Sequence, residues 1–212
     1  MRATAVVPVK RFAVAKSRLA PGVDALRKPE LVAAMVADVL EAIAAARSVE
    51  RTIVVSREPR AAELAAAAGA ELLSDFDDAS HSAAALAGIA RAEAAGARCV
   101  ALLPGDCPLL DPRELDKMLT GVPDPYVAVI PDRHGTGTNA LVLAPPSAIE
   151  PAFGEGSCAR HVAAARAAGI PYGVEELKSL GLDLDTPADI VALTTRVEMS
   201  GGAKRTAKAL GI

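Results

Sequence analysis

Short apolar runs alternate with alanine-rich stretches along almost the whole chain, and that alternation constrains the fold more than any other feature. Brief runs of β-branched and aliphatic residues suit buried strands, and the stretches between them carry apolar residues at helical spacing. Strands are expected at residues 4–9, 52–56, 71–73, 99–103, 126–130, 140–143, 172–174 and 181–184. Helices are expected at 29–46, 60–68, 80–95, 112–120, 158–168 and 187–196. Asp111 and Thr186 each stand before a proline, placing a capping side chain ahead of Pro at the first helical position. Gly69 and Gly169 sit where helices should end. Such alternation builds a mostly parallel sheet with helices on both faces. The stretches 126–130 and 140–143 are separated by a Gly-rich loop with no room for a helix, so an antiparallel insertion is expected to make the sheet mixed. One domain over residues 1–196 is expected, followed by a tail, 197–212, containing Gly201-Gly202 and the cations Lys204, Arg205 and Lys208. The tail is expected to fray or to lie across a neighbouring subunit of a homodimer.

Composition removes several function classes. Lys plus Arg is 23 against 26 for Asp plus Glu, so the basic excess of a nucleic-acid binder is missing. Aromatics are 2% of the 212 residues, too few for a base- or sugar-stacking platform. Cys99, Cys107 and Cys158 form no Cys-x-x-Cys pair, which argues against a zinc site or a disulfide framework. The longest apolar stretch, 31–46, is broken by Asp38 and Glu41 and cannot span a bilayer. Pro8 interrupts the apolar N-terminal run, and Lys10, Arg11, Lys16 and Arg18 follow it with no small-residue cleavage site, unlike a signal peptide. A soluble, cytoplasmic protein is expected.

In open α/β sheets ligands bind beyond the carboxyl ends of the strands, so the residues just after each strand carry the interest. After the first strand, Lys10, Arg11, Lys16 and Arg18 put four cations into nine residues. They are either a solvated basic loop or an anion clamp. Neither a Gly-x-x-x-x-Gly-Lys nor a Gly-x-Gly-x-x-Gly pattern follows, which disfavours a P-loop enzyme or a dinucleotide enzyme. Leu103-Pro104-Gly105-Asp106-Cys107-Pro108 presents a carboxylate at the same edge, suited to a turn or to a nucleotide's magnesium. In Leu182-Asp183-Leu184-Asp185-Thr186, the two aspartates share a face if the segment is extended, and two like charges call for a cation. The alternative makes Asp185 or Thr186 a helix cap. Two glycine loops follow, Gly135-Thr136-Gly137-Thr138-Asn139 and Phe153-Gly154-Glu155-Gly156-Ser157. Glycine lets backbone amides approach an anion, and Ser157 heads a helix either as an anion contact or as a plain cap. His134 and His161 fall near these loops and read more readily as structural than as catalytic.

Taken in order, Val-Pro-Val-Lys with Ala-Lys-Ser-Arg-Leu, Leu-Pro-Gly-Asp-Cys-Pro-Leu, Gly-Thr-Gly-Thr-Asn-Ala-Leu, Phe-Gly-x-Gly-Ser and Leu-Asp-Leu-Asp-Thr-Pro-Ala-Asp resemble the phosphoenolpyruvate/2-phospho-L-lactate guanylyltransferase family of coenzyme F-420 biosynthesis. The resemblance spans residues 3 to about 195. It implies a three-layer α/β/α nucleotidyltransferase fold, Rossmann-like and of the glycosyltransferase-A type, with a mixed central sheet. By this resemblance Asp106, Asp183 and Asp185 correspond to magnesium ligands. Thr138, Gly154 and Ser157 correspond to positions holding a phosphorylated three-carbon acid, with Gly156 in the same loop. Lys10 and Lys16, with Arg18 beside them, correspond to the basic loop at the nucleotide phosphates. One departure stands out: where members often carry Leu-Asn entering the third helix, near the base, this chain reads Asp78-Ala79-Ser80-His81-Ser82-Ala83-Ala84.

The implied reaction transfers GMP from GTP to the phosphate of phosphoenolpyruvate, releasing pyrophosphate and making enolpyruvoyl-2-diphospho-5'-guanosine; 2-phospho-L-lactate is the alternative acid. A phosphate monoester is mostly ionised at neutral pH, so no Ser, His or Cys nucleophile is required. Lys10, Lys16 and Asp106 are the candidate catalytic residues. Molybdopterin-type and sugar-nucleotide transferases would begin with a Gly-rich Ala-Gly-Gly loop that this chain lacks, and scarce aromatics disfavour a glycosyltransferase. A catalytically silent nucleotide-binding module would have little use for three clustered aspartates.

Overall fold

The structure is a computed structural model that describes residues 2–12, 15–16, 19, 27–74 and 80–212. The apolar runs become seven strands: β1 (Ala3–Val9), β2 (Val49–Ser56), β3 (Glu71–Ser74), β4 (Val100–Leu102), β5 (Tyr126–Pro131), β6 (Thr138–Ala144) and β7 (Tyr172–Val174). They form one sheet in the order β3-β2-β1-β4-β6-β5-β7. β6 alone runs against its neighbours, pairing antiparallel with β4 on one side and β5 on the other. The sheet is therefore mixed, as the Gly-rich loop between β5 and β6 implied.

Successive side chains along the buried strands point to opposite faces of the sheet, which divides the interior into two cores. Ala5, Val7, Val54, Ala101, Ala128 and Val142 face one side, and Val6, Ile53, Val55, Val100, Val127 and Leu141 face the other. α1 (Lys28–Ala45), α2 (Pro59–Ala67), α4 (Pro112–Leu119), α6 (Pro187–Ser200) and α7 (Lys204–Leu210) belong to the first side. α3 (His81–Ala94) and α5 (Ser157–Ala167) cover the second. α3 lies very close to the sheet at Gly88, where an added Cβ would come within 2.3 Å of Val6 Cγ1.

Two stretches differ from the sequence-based expectation. Residues 181–184 do not join the sheet: a 3-10 turn spans Lys178–Leu180, and the segment after it lies outside the ladder. Leu182 and Leu184 are buried, so their spacing marked burial correctly, but the Leu184 N–H donates to the Asp106 carbonyl at 3.2 Å instead of to a strand. The chain after Val197 continues α6 to Ser200, turns at Gly201 with φ +67°, and docks α7 on α1. Buried Asp38 of α1 anchors it, accepting from the Thr206 N–H and hydroxyl at 2.8 Å each and from the Arg205 N–H at 3.1 Å.

The site lies at the carboxyl edge of the sheet, where β1 has β2 on one side and β4 on the other. The chain crosses over in opposite directions there, opening a crevice for ligands.

Candidate active site

Several anchors hold the basic loop as it leaves β1. Ser56 donates its hydroxyl to the Val9 carbonyl at 2.7 Å, and the Phe12 N–H donates to Glu58 Oε2 at 2.9 Å. The Phe12 ring is fully buried, with the Arg60 guanidinium 5.8 Å from its centroid. Lys16 then adopts φ +57°, a left-handed conformation that costs a non-glycine residue about 1–2 kcal/mol. Strain of this kind persists where surrounding structure demands it. Here the demand is visible: Lys16 Nζ reaches both Asp106 and Asp185, the latter at 2.5 Å.

Burial by itself would lower the Lys16 ammonium, yet the charges of Asp106 and Asp185 hold it above its usual range. Burial would likewise raise Asp106, and the Lys16 charge carries it below the ordinary carboxylate range instead. Asp183 goes the other way. Burial and then the charges of Asp106 and Asp185 push its carboxyl up, and Lys16 only partly offsets them. Lys16 thus pairs with Asp106 and Asp185, and the charges of those two carboxylates bear on Asp183 beside them.

Asp185 reaches this cluster because the helix does not need it. Asp189, at the third position of α6, accepts from the N–H groups of Asp185 at 3.0 Å and Thr186 at 2.7 Å, and from the Thr186 hydroxyl at 2.9 Å. Thr186 is the N-cap residue of α6, in a capping box with Asp189, so the capping reading holds for Thr186 and leaves the Asp185 carboxylate facing Lys16. A cavity of about 360 Å3 opens beside the cluster, lined by Lys10, Lys16, His81, Gly105, Asp106 and Asp185 among others. Lys10 stands exposed at its wall. Arg18 lies outside the described residues, as do Asp78 and Ala79.

Among the described residues no set of three or more His, Cys, Asp or Glu side chains is gathered as ready metal ligands. The Lys16 ammonium sits between Asp106 and Asp185 instead. The donor set still suits magnesium, which takes hard oxygen ligands and is commonly held by one or two carboxylates with water and substrate phosphates. A divalent cation there would favour the charged form of Asp183, which burial and its neighbours disfavour.

The two glycine loops form a second group. Asp132 organises the first by accepting from the N–H groups of His134, Thr136 and Gly137 at 2.9–3.0 Å. A Cβ at Gly137 would lie 2.5 Å from Asp132 Oδ2 and displace the carboxylate that holds this loop. In the second loop Gly154 and Gly156 take φ +112° and +69°, and Gly156 is the residue before α5. Ser157 is therefore the first residue inside the helix and does not cap it. Two of the first N–H groups of α5 are already used: Ser157 donates to the Gly154 carbonyl and Cys158 to that of Thr136, at 3.1 and 3.2 Å. The second bond ties the two glycine loops together. The Ser157 hydroxyl is buried with no hydrogen-bond partner among the described residues.

Several site residues were not identified from the sequence. Asn139 donates to the Leu180 carbonyl at 2.6 Å, fixing the segment that delivers Asp183 and Asp185. Ser82 accepts from the Phe153 N–H at 3.0 Å, and the Phe153 ring lies edge-on to His81 and to His161, at 4.8 and 5.3 Å between centroids. The altered Leu-Asn position thus supports the second glycine loop through Ser82 and lines the cavity through His81. The partners of Ser82 and Asn139 lie 71 and 41 residues away in sequence, beyond the reach of any local motif. Burial and the nearby carboxylates push the Cys107 thiol well up, and burial takes Cys99 to about 11 and raises Cys158, which disfavours the thiolate at all three.

A family model described as "Guanylyl transferase CofC like" matches residues 3–210. The chain belongs to this family. A phosphoenolpyruvate guanylyltransferase of Conexibacter woesei is 43% identical over 97% of this chain and 94% of its own length. A 3-phospho-D-glycerate guanylyltransferase of Phenylobacterium zucineum is 39% identical over 89% of this chain and 88% of its own. Among solved structures, a nucleotidyl transferase from Methanothermobacter superposes with a TM-score of 0.68 at 19% identity, covering 94% of this chain and 99% of the other. The expected α/β nucleotidyltransferase fold is the observed one, and the chain is a nucleotidyltransferase of the guanylyl-transferring kind. No described helix is long and apolar enough to cross a membrane.

Proposed function

We propose that the protein transfers GMP from GTP to the phosphate of phosphoenolpyruvate in the cytoplasm, releasing pyrophosphate and forming enolpyruvoyl-2-diphospho-5'-guanosine for coenzyme F-420 biosynthesis. The observation that carries the proposal is the Lys16 ammonium bridging Asp106 and Asp185 at the crevice beside β1, in a chain 43% identical to a phosphoenolpyruvate guanylyltransferase. An oxygen of the acid's phosphate attacks the α-phosphorus, the bond from that phosphorus to the bridging oxygen breaks, and pyrophosphate leaves with the electron pair. Lys10 and Lys16 bind the triphosphate and offset the charge that builds on the leaving group. Magnesium, held by Asp106 and Asp185 with Asp183 beside them, would supply further charge neutralisation between the two anionic substrates.

Thr138, Gly154, Gly156 and Ser157 bind the acid. The unpartnered, buried Ser157 hydroxyl and the two left-handed glycines support that role. The relative from Phenylobacterium, named for 3-phospho-D-glycerate, makes that acid the second candidate, and 2-phospho-L-lactate is the third. Phosphoenolpyruvate and 2-phospho-L-lactate differ by a methylene against a methyl on the carbon bearing the phosphate, a contrast worth about 1–3 kcal/mol of discrimination; 3-phospho-D-glycerate carries its phosphate one carbon further from the carboxylate, with a hydroxyl on the carbon between. Pyrophosphate release with magnesium, GTP and each acid in turn tests the proposal. The highest kcat/KM is expected for phosphoenolpyruvate. A preference for another acid replaces the substrate, whereas release with none of them overturns the function. Replacing GTP with ATP or CTP tests the base, and both are expected to be poorer donors.

A further inference from the structure

His161 is wholly buried, and both of its ring nitrogens are engaged by groups from different loops. The Ala152 backbone N–H lies 2.8 Å from Nε2, and Thr138 Oγ1 lies 3.0 Å from Nδ1. A backbone N–H can only donate, so Nε2 must be the bare, accepting nitrogen. In the neutral ring the proton then sits on Nδ1 and points at the Thr138 oxygen. That oxygen accepts, and the Thr138 hydroxyl hydrogen is left for another acceptor.

We infer that His161 is a positioning residue which fixes Thr138 as a hydrogen-bond donor toward an anionic oxygen of the acid substrate. The inference rests on the assignment of Thr138 to acid binding made above. The same ring holds the second glycine loop through Ala152, and its edge-on contact with Phe153 keeps that loop against His81. One side chain therefore sets the hydroxyl of the first loop and the entry to the second. A Thr138 hydroxyl with no such neighbour would rotate freely and could as well present a lone pair, which repels a carboxylate or phosphate. Burial, followed by the charge of Arg160, pushes the His161 ring down to about 4, consistent with a ring that stays neutral while the enzyme works.

The tautomer is read directly from the nitrogen-15 shifts of the imidazole, in a chain with three histidines. Nδ1 protonated and Nε2 bare is expected, and the reverse assignment overturns the inference. Kinetics supply the second arm. Asparagine can place an amide N–H near the Nδ1 position, whereas glutamine can place an acceptor near Nε2 but offers Thr138 no donor. His161→Gln should raise KM for the acid about tenfold and leave KM for GTP unchanged, as expected for a weakened contact to a charged group. His161→Asn should recover most of that loss. In a Thr138→Val background, His161→Gln should cause no further rise. Full additivity in the double variant, or an equal rise for GTP, overturns the positioning role while Thr138 keeps its place. If Thr138→Val leaves the acid's KM unaltered, the acid-site assignment falls and takes the inference with it.

Discussion

Lys16 concentrates the cost and the purpose of the site in one residue. Its left-handed backbone is unfavourable, its side chain is 9% exposed, and it is held by carboxylates 34% and 26% exposed. Lys16→Met should therefore lower kcat/KM at least about a hundredfold, the scale seen when one preorganised charge is removed from a transition state. Near-native turnover in that variant would remove Lys16 from the chemistry. Asp106→Asn should abolish turnover with an unchanged circular dichroism spectrum, because the amide keeps the shape and loses the charge. His161 supplies a test against pH. Its folded value of about 4 lies below the ordinary 6.5, so the unfolded chain takes up the proton first. Its contribution to stability is complete above about pH 6.5 and is lost as the pH falls toward 4, amounting to about 3 kcal/mol over the window. Urea midpoints measured between pH 7 and 4.5 should fall less steeply for His161→Asn than for the native chain. The burial-lowered His81 remains in both and contributes equally to the two slopes.

At the scale of elements, α3 shows why helix propensity alone misleads. Alanine is the better helix former by about 1 kcal/mol, so Gly88→Ala ought to stabilise the helix taken in isolation. The 2.3 Å approach of the added Cβ to Val6 Cγ1 reverses the sign. Overpacking here should leave the variant about 1–2 kcal/mol less stable in chemical denaturation. A gain in stability would mean that α3 shifts outward freely. The strand and helix sequence was legible because β-branched runs, prolines before helices and glycines after them act locally. Gly69 and Gly169 do take left-handed φ values at their helix ends. The segment 181–184 was misread for the same reason: alternation at Leu180, Leu182 and Leu184 reports burial, and says nothing of which backbone groups will pair.

For the whole molecule, the C-terminal helix is the piece that sequence left loosest. Four hydrogen bonds from Arg205 and Thr206 converge on one buried carboxylate of α1, and Arg205 also pairs with Glu41. Asp38→Ala leaves the Thr206 groups without an acceptor and should cost about 2–3 kcal/mol of stability. It should also open α7 to proteolysis before the sheet. Unchanged stability would mean that α7 is an independent appendage.

By itself the sequence determined the layered α/β architecture, the reversed strand after the fourth helix, and the order in which the carboxylates, basic loop and glycine loops appear. Those features depend on period, punctuation and residue chemistry within a few positions. Only the tertiary structure decided which groups meet. Lys16 finds Asp185 at a separation of 169 residues, Thr138 finds His161 across 23, and Asn139 finds Leu180 across 41. It also decided the docking of α7 on Asp38. A side chain's partner is set by where the sheet edge delivers each loop in space, and that geometry exists only after the two cores have closed on the strands between them.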